Sequence, residues 1–133
     1  MNAIKIDIAC DIVEWQTLLS GMQLATFTGA TADGAWTLSG SCSWNPRYGA
    51  EASEGDLVLS RSDGAELFAT LAAGTIVELP SDAADAAGYD ARLEFIVDGG
   101  DGVFDDATGS IRVEGRLSRG SLTLHVCLAI GDG

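Results

Sequence analysis

The chain has 133 residues with twenty acidic side chains against seven basic ones, a net charge of −13 and a hydrophobic fraction of 47%. That is enough for one domain with a single core, and the acidity argues against nucleic acid or anionic membrane as partners, which are bound through basic patches. No run approaches the ~18 apolar residues of a membrane-spanning helix, the first residues lack a signal-like apolar stretch, and Cys10, Cys42 and Cys127 show no C-x-x-C spacing. A cytoplasmic protein with free thiols and no cofactor is therefore expected.

Turn residues punctuate the chain every eight to twelve positions, and the segments between them alternate apolar and polar with period two. Residues 4–13 place Ile4, Ile6, Ile8, Cys10 and Ile12 on one face and Lys5, Asp7 and Asp11 on the other. Residues 14–21 fit a short helical turn as well as an extended run. Residues 22–28 lead through Asp33-Gly34 into residues 35–44, where Trp36, Leu38, Gly40, Cys42 and Trp44 share a face opposite only Thr and Ser. An Asp-Gly pair between alternating runs is a strong hairpin signal, because both turn residues must accept positive φ.

Residues 45–55 form the longest polar connection of the first half. Residues 56–62 and 65–79 flank a second Asp-Gly turn, Asp63-Gly64, and Gly74 marks a bulge or a corner in the later run. Residues 81–88 suit one helical turn capped by Ser81. Residues 89–98, 110–118 and 121–130 complete eight strands, separated by a glycine-rich turn over 99–109 and by Arg119-Gly120.

Eight one-faced strands predict a single closed antiparallel β-barrel spanning residues 1–133. An open sheet would leave two long apolar edges, at residues 4–13 and 121–130, that closure removes. A two-sheet sandwich is the alternative. Glu94, Arg112, Glu114 and Arg116 would then face outward as cross-strand pairs, and so would His125, the sole histidine. With the sole histidine turned outward no His-based triad is expected, and one histidine cannot make a multi-His metal site within one chain.

Trp36, Trp44, Tyr89 and Phe95 fall on inward faces beside the small residues Gly40, Cys42 and Ala91, which suggests an aromatic-walled lumen with some unfilled space. Tyr48, next to Arg47, would line or cover a mouth. The expected ligand-binding set is therefore Trp36, Cys42, Trp44, Tyr48, Tyr89 and Phe95, with no catalytic residue assigned and no metal. Glu14 and Glu78 are acids in apolar surroundings that would reach solvent at a rim. The run Gly99-Gly100-Asp101-Gly102-Val103-Phe104-Asp105 touches a calcium-binding repeat, but Phe104 stands where that repeat needs Asp. A structural turn, with Phe104 plugging one end of the core, is the expectation.

Residues 93–109, Leu-Glu-Phe-Ile-Val-Asp-Gly-Gly-Asp-Gly-Val-Phe-Asp-Asp-Ala-Thr-Gly, resemble the strand–turn block of allene oxide cyclase-like barrels. Residues 38–42, Leu-Ser-Gly-Ser-Cys, are similar to the Gly-x-Cys strand of the same family, and the likeness runs over residues 22–131. The resemblance implies an eight-stranded barrel with an apolar lumen, assembled as a homodimer or homotrimer. That family includes plant fatty-acid cyclases, the similar dirigent barrels, and bacterial cyclases that fold linear polyketides for cycloaddition. The Lys-poor, Ala/Gly/Asp/Arg-rich composition is closest to the bacterial group.

On this reading the chain is a cofactor-independent cyclase that holds a linear apolar polyene folded for intramolecular ring closure. The first alternative is a non-catalytic barrel that binds a small hydrophobic metabolite. The second is a filled barrel whose outer face, around His125 and Cys127, serves protein association.

Overall fold

The period-two runs become eight strands: β1 (Asn2–Thr17), β2 (Gln23–Ala30), β3 (Trp36–Trp44), β4 (Ala52–Arg61), β5 (Glu66–Glu78), β6 (Gly88–Asp101), β7 (Ala107–Ser118) and β8 (Ser121–Asp132). The structure, a computed structural model, describes residues 2–49, 51–79, 88–118 and 121–132. Each strand pairs antiparallel with its sequence neighbours, and β8 returns to β1, so the sheet is a closed barrel and not a two-sheet sandwich. The closing seam runs from Asn2↔Ile130 to Asp11↔Ser121, whereas β1 meets β2 from Ala9 to Thr17. β1 thus changes partner along its length, which is the stagger that lets a tilted sheet close.

Most inward faces are as the alternation predicts. Ile8 and Cys10 of β1, Leu38 and Cys42 of β3, Leu93 and Phe95 of β6, and Leu122, Leu124, Val126 and Leu128 of β8 are all buried. β1 is longer than its first alternating run, and its extension is extended chain instead of a helical turn. The register with β2 slips between Ile12 and Glu14, leaving Val13 bulged outward and 64% exposed. The extra residue reverses the inward parity, so Trp15 packs against the core where a strict period of two would turn it out. A second slip leaves Ala72 of β5 unpaired with β6. The bulge expected at Gly74 therefore lies two residues earlier, and Gly74 itself is needed because an added Cβ would lie 2.6 Å from the Arg92 carbonyl oxygen.

The polar stretch 45–55 is mostly structured: a 3-10 turn, Pro46–Tyr48, precedes β4, which already pairs with β3 at Ala52. Likewise β6 runs on to Asp101, and a 3-10 turn, Gly102–Phe104, leaves only two residues before β7. The helical turn expected from Ser81 and the Arg119-Gly120 turn fall outside the described residues.

The outward faces of β6 and β7 are charged. Asp90, Arg92 and Glu94 of β6 stand directly opposite Arg116, Glu114 and Arg112 of β7, an alternation of opposite signs across the pair. Such pairs each contribute roughly 0.2–1 kcal/mol. A wall of this kind is unlike the outward apolar band of a lipid-facing barrel. Among the described residues no helix is long and apolar enough to cross a membrane.

Inside, the small residues do not leave the space that the sequence suggested. An added Cβ on Gly40 would lie 2.6 Å from Leu57 Cδ2 and 3.1 Å from Phe27 Cε2, so neighbours fill the position. Leu59, Leu67, Phe95, Ile111 and Leu128 are 0% exposed and border no space that water can enter. Eight strands enclose just enough room for such a plug. Replacing Gly40 with Ala should therefore overpack the interior and lower stability by about 1–3 kcal/mol in urea unfolding. An unchanged urea midpoint would show that the barrel has slack at this level.

Candidate functional site

The hairpins divide the barrel into two ends. One carries the β1–β2 turn, the 3-10 turn after β3, and the start of β6. The other carries the β2–β3 and β4–β5 turns and the 3-10 turn after β6.

At the second end the barrel is sealed. Phe104, 9% exposed, stacks on Trp36 with ring centroids 6.0 Å apart and planes 29° from parallel. The Arg61 guanidinium lies 5.2 Å from the Phe104 ring centroid, a cation–π contact. Asp63 binds the same guanidinium and also accepts from the Ala65 backbone N–H. The Arg61 hydrogen bond, with help from the Ala65 N–H, holds the Asp63 carboxyl below its ordinary value. Phe104 thus plugs this end as the sequence suggested, in contact with both Trp36 and Arg61.

The first end is built from three other rings. Trp44, the last residue of β3, is wholly buried. Trp15 meets it edge-on at 5.3 Å and Tyr89 at 5.4 Å, and Trp15 and Tyr89 lie 5.9 Å apart. Trp15 and Tyr89 are only partly buried, so apolar ring surface faces outward over a solid interior. Each ring is placed by its strand: Trp44 by the alternation of β3, Trp15 by the parity change at Val13, and Tyr89 by pairing with Leu117 of β7 and Glu78 of β5.

Hydrogen bonds hold the frame of this end. Trp15 Nε1 donates to Gln23 Oε1 at 2.7 Å, and Gln23 Nε2 donates to the Gly21 carbonyl. Asn45, 7% exposed, donates from Nδ2 to the Ser20 carbonyl, and its Oδ1 accepts from the Arg47 backbone N–H. One buried amide thus joins the β1–β2 turn to the turn after β3. Leu18 and Leu19 at the tip of the β1–β2 turn are exposed, Leu19 completely.

Of the six residues expected to line a ligand site, the structure brings together Trp44 and Tyr89. Trp36 belongs to the opposite end, roughly 26 Å along β3 from Trp44 at ~3.3 Å per residue. Phe95 and Cys42 sit in the packed wall between, and the side chain of Tyr48 lies outside the described residues. Sequence reasoning missed Trp15 and Asn45. Trp15 was within reach of it, since one bulge between Ile12 and Trp15 returns the indole to the inward face.

Burial pushes the Cys42 thiol up to about 12 and, with the Asp11 charge adding to it, the Cys10 thiol up to about 11. Both are neutral at physiological pH and unsuited to nucleophilic work. Glu14 and Glu78 are exposed at the rim. His125 faces outward, as the alternation of β8 requires, and its Nδ1 lies 2.6 Å from Asp7 Oδ1 across the closing seam. Among the described residues no three His, Cys, Asp or Glu side chains are placed to hold a metal ion.

No family model, curated protein or solved structure matches the chain.

The raised thiol values set the alkaline limit of stability. A thiol that ionises near 9.0 when unfolded but near 11 or 12 when folded stabilises the barrel fully below pH ~9, and that contribution is lost as pH rises through the folded values. The urea midpoint should therefore fall between about pH 8.5 and 10.5, and fall less in the double variant Cys10→Ala, Cys42→Ala. An identical fall in both proteins would remove the thiols from the explanation.

Proposed function

We propose that this barrel binds a small apolar molecule at the end formed by Trp15, Trp44 and Tyr89. The observation that carries the reading is the contrast between the two ends. One is stoppered by stacked rings under a cation, while the other leaves two large rings partly uncovered above a dry interior. Aromatic rings at a barrel mouth offer apolar surface at little entropic cost. Covering about 100 Å² of it would contribute about 2.5 kcal/mol.

Catalysis of ring closure is the second reading, and it shares this end of the barrel. The features favouring it are an apolar wall and thiols held neutral, because a pericyclic closure asks only that a flexible chain be held with its reacting ends together. Such preorganisation can remove about 7–11 kcal/mol of barrier in favourable cases. A linear substrate would have to fold against the rings at the mouth, since the side chains of the midsection occupy the interior.

Titration with a linear conjugated triene, followed by Trp fluorescence and by triene absorbance, separates the possibilities. Binding should quench the indoles, and Trp15→Ala should weaken it by about tenfold in a protein that still folds, with a lowered urea midpoint because the ring packs on the core and is tied to Gln23. Loss of triene absorbance that depends on folded protein would establish turnover; binding without it would leave a carrier. No quench with any apolar ligand would move attention to the outer wall around His125 and Cys127.

A further inference from the structure

Among the described residues the buried side-chain polar atoms have hydrogen-bond partners, with a single exception. Trp15 Nε1 is engaged by Gln23, and both ends of the Asn45 amide are used. Trp44 Nε1 is buried and has no hydrogen-bond partner among the described residues. A buried donor left unpaired is costly, and phenylalanine at the same position would supply a ring for Trp15 and Tyr89 to pack against without that cost. Among the described residues the indole N–H of Trp44 is therefore the buried side-chain polar group that the fold leaves without a partner.

We infer that Trp44 Nε1 is the orienting donor of the ligand site, and that the ligand is an uncharged apolar molecule carrying one hydrogen-bond acceptor, a carbonyl or ether oxygen. The inference rests on the binding reading above and narrows it. One neutral N–H can satisfy one acceptor oxygen. It cannot replace the hydration of a carboxylate or a phosphate, and the buried polar residues among those described, Ser43 and Asn45, carry no positive charge. The acceptor would pass between Trp15, Tyr89 and the β1–β2 turn, whose tie to the turn after β3 includes the Asn45–Ser20 hydrogen bond. The apolar remainder would then lie over the partly exposed rings.

The test compares 4-phenylbutan-2-one with butylbenzene, a ketone and a hydrocarbon of similar shape, in the full chain labelled with 15N. Trp15→Phe and Trp36→Phe identify the third indole resonance as that of Trp44. The ketone should move the Trp44 indole proton downfield and the hydrocarbon should not. In Trp44→Phe the ratio of ketone to hydrocarbon affinity should fall by about tenfold. A ratio unchanged by Trp44→Phe, or an indole proton unmoved by bound ketone, overturns the inference while leaving apolar binding intact. An indole proton shifted strongly upfield in the free protein also overturns it, because the donor would then be spent on the face of a neighbouring ring. If neither compound binds, the binding reading fails and takes this inference with it. Should Trp44→Phe not fold, the wild-type resonance decides alone.

Discussion

The seam between β1 and β8 is the contact on which the rest of the molecule depends. Both strands carry an apolar face, with Ile8 and Cys10 on one and Leu122, Leu124, Val126 and Leu128 on the other. Unpaired, each would expose a row of backbone donors and acceptors beside a greasy surface, the arrangement that drives chains to aggregate. Their pairing over ten residues of β1 leaves the sheet without an edge. It also commits every inward side chain to one shared interior, whose diameter is set by the number of strands.

That commitment explains why the interior is filled along its length, by Phe27 and Phe95 among the aliphatics, and carries clusters of rings at its extremities. Leu59, Leu67, Ile111 and Leu128 are completely buried in that interior. Larger rings fit where the wall ends and the hairpins give them room, hence Trp36 with Phe104 at one extremity and Trp15, Trp44 and Tyr89 at the other. Chemistry based on charged or nucleophilic groups has little footing in such a space. Its two buried thiols are held protonated by the same burial that stabilises the fold. The proposed recognition by ring surface and a single indole donor needs neither charged nor nucleophilic groups.

Much of this was legible in the chain. Alternation gave the strand count, the outward course of His125 and the inward course of Trp44, because residues two apart must share a side of a pleated strand. The Asp-Gly pairs located two hairpins, but only their glycines, Gly34 and Gly64, take positive φ; Asp33 and Asp63 serve the turns by accepting from the Ala35 and Ala65 backbone N–H instead. Phe104 was identifiable as a plug by its place in a glycine turn. What alternation cannot carry is height. Trp36 and Trp44 share a face and were grouped for that reason, yet they stand at opposite extremities of one strand. Nor can it survive an inserted residue: the bulges at Val13 and Ala72 change parity with no distinctive residue to mark them. The opening of β4, Ala-Ser-Glu-Gly-Asp, reads as loop because its pairing partners and not its own composition keep it extended.

The stopper at Phe104 has a topological consequence. With stacked rings under a guanidinium at one extremity and fully buried side chains along its interior, the barrel is not an open tube. A guest bound as proposed at the rim formed by Trp15, Trp44 and Tyr89 would have to leave by the side it came from, with the same end leading in and trailing out. A guest with distinct ends would be held in one polarity only, and its buried tip would be the part shielded from bulk water for as long as it stays.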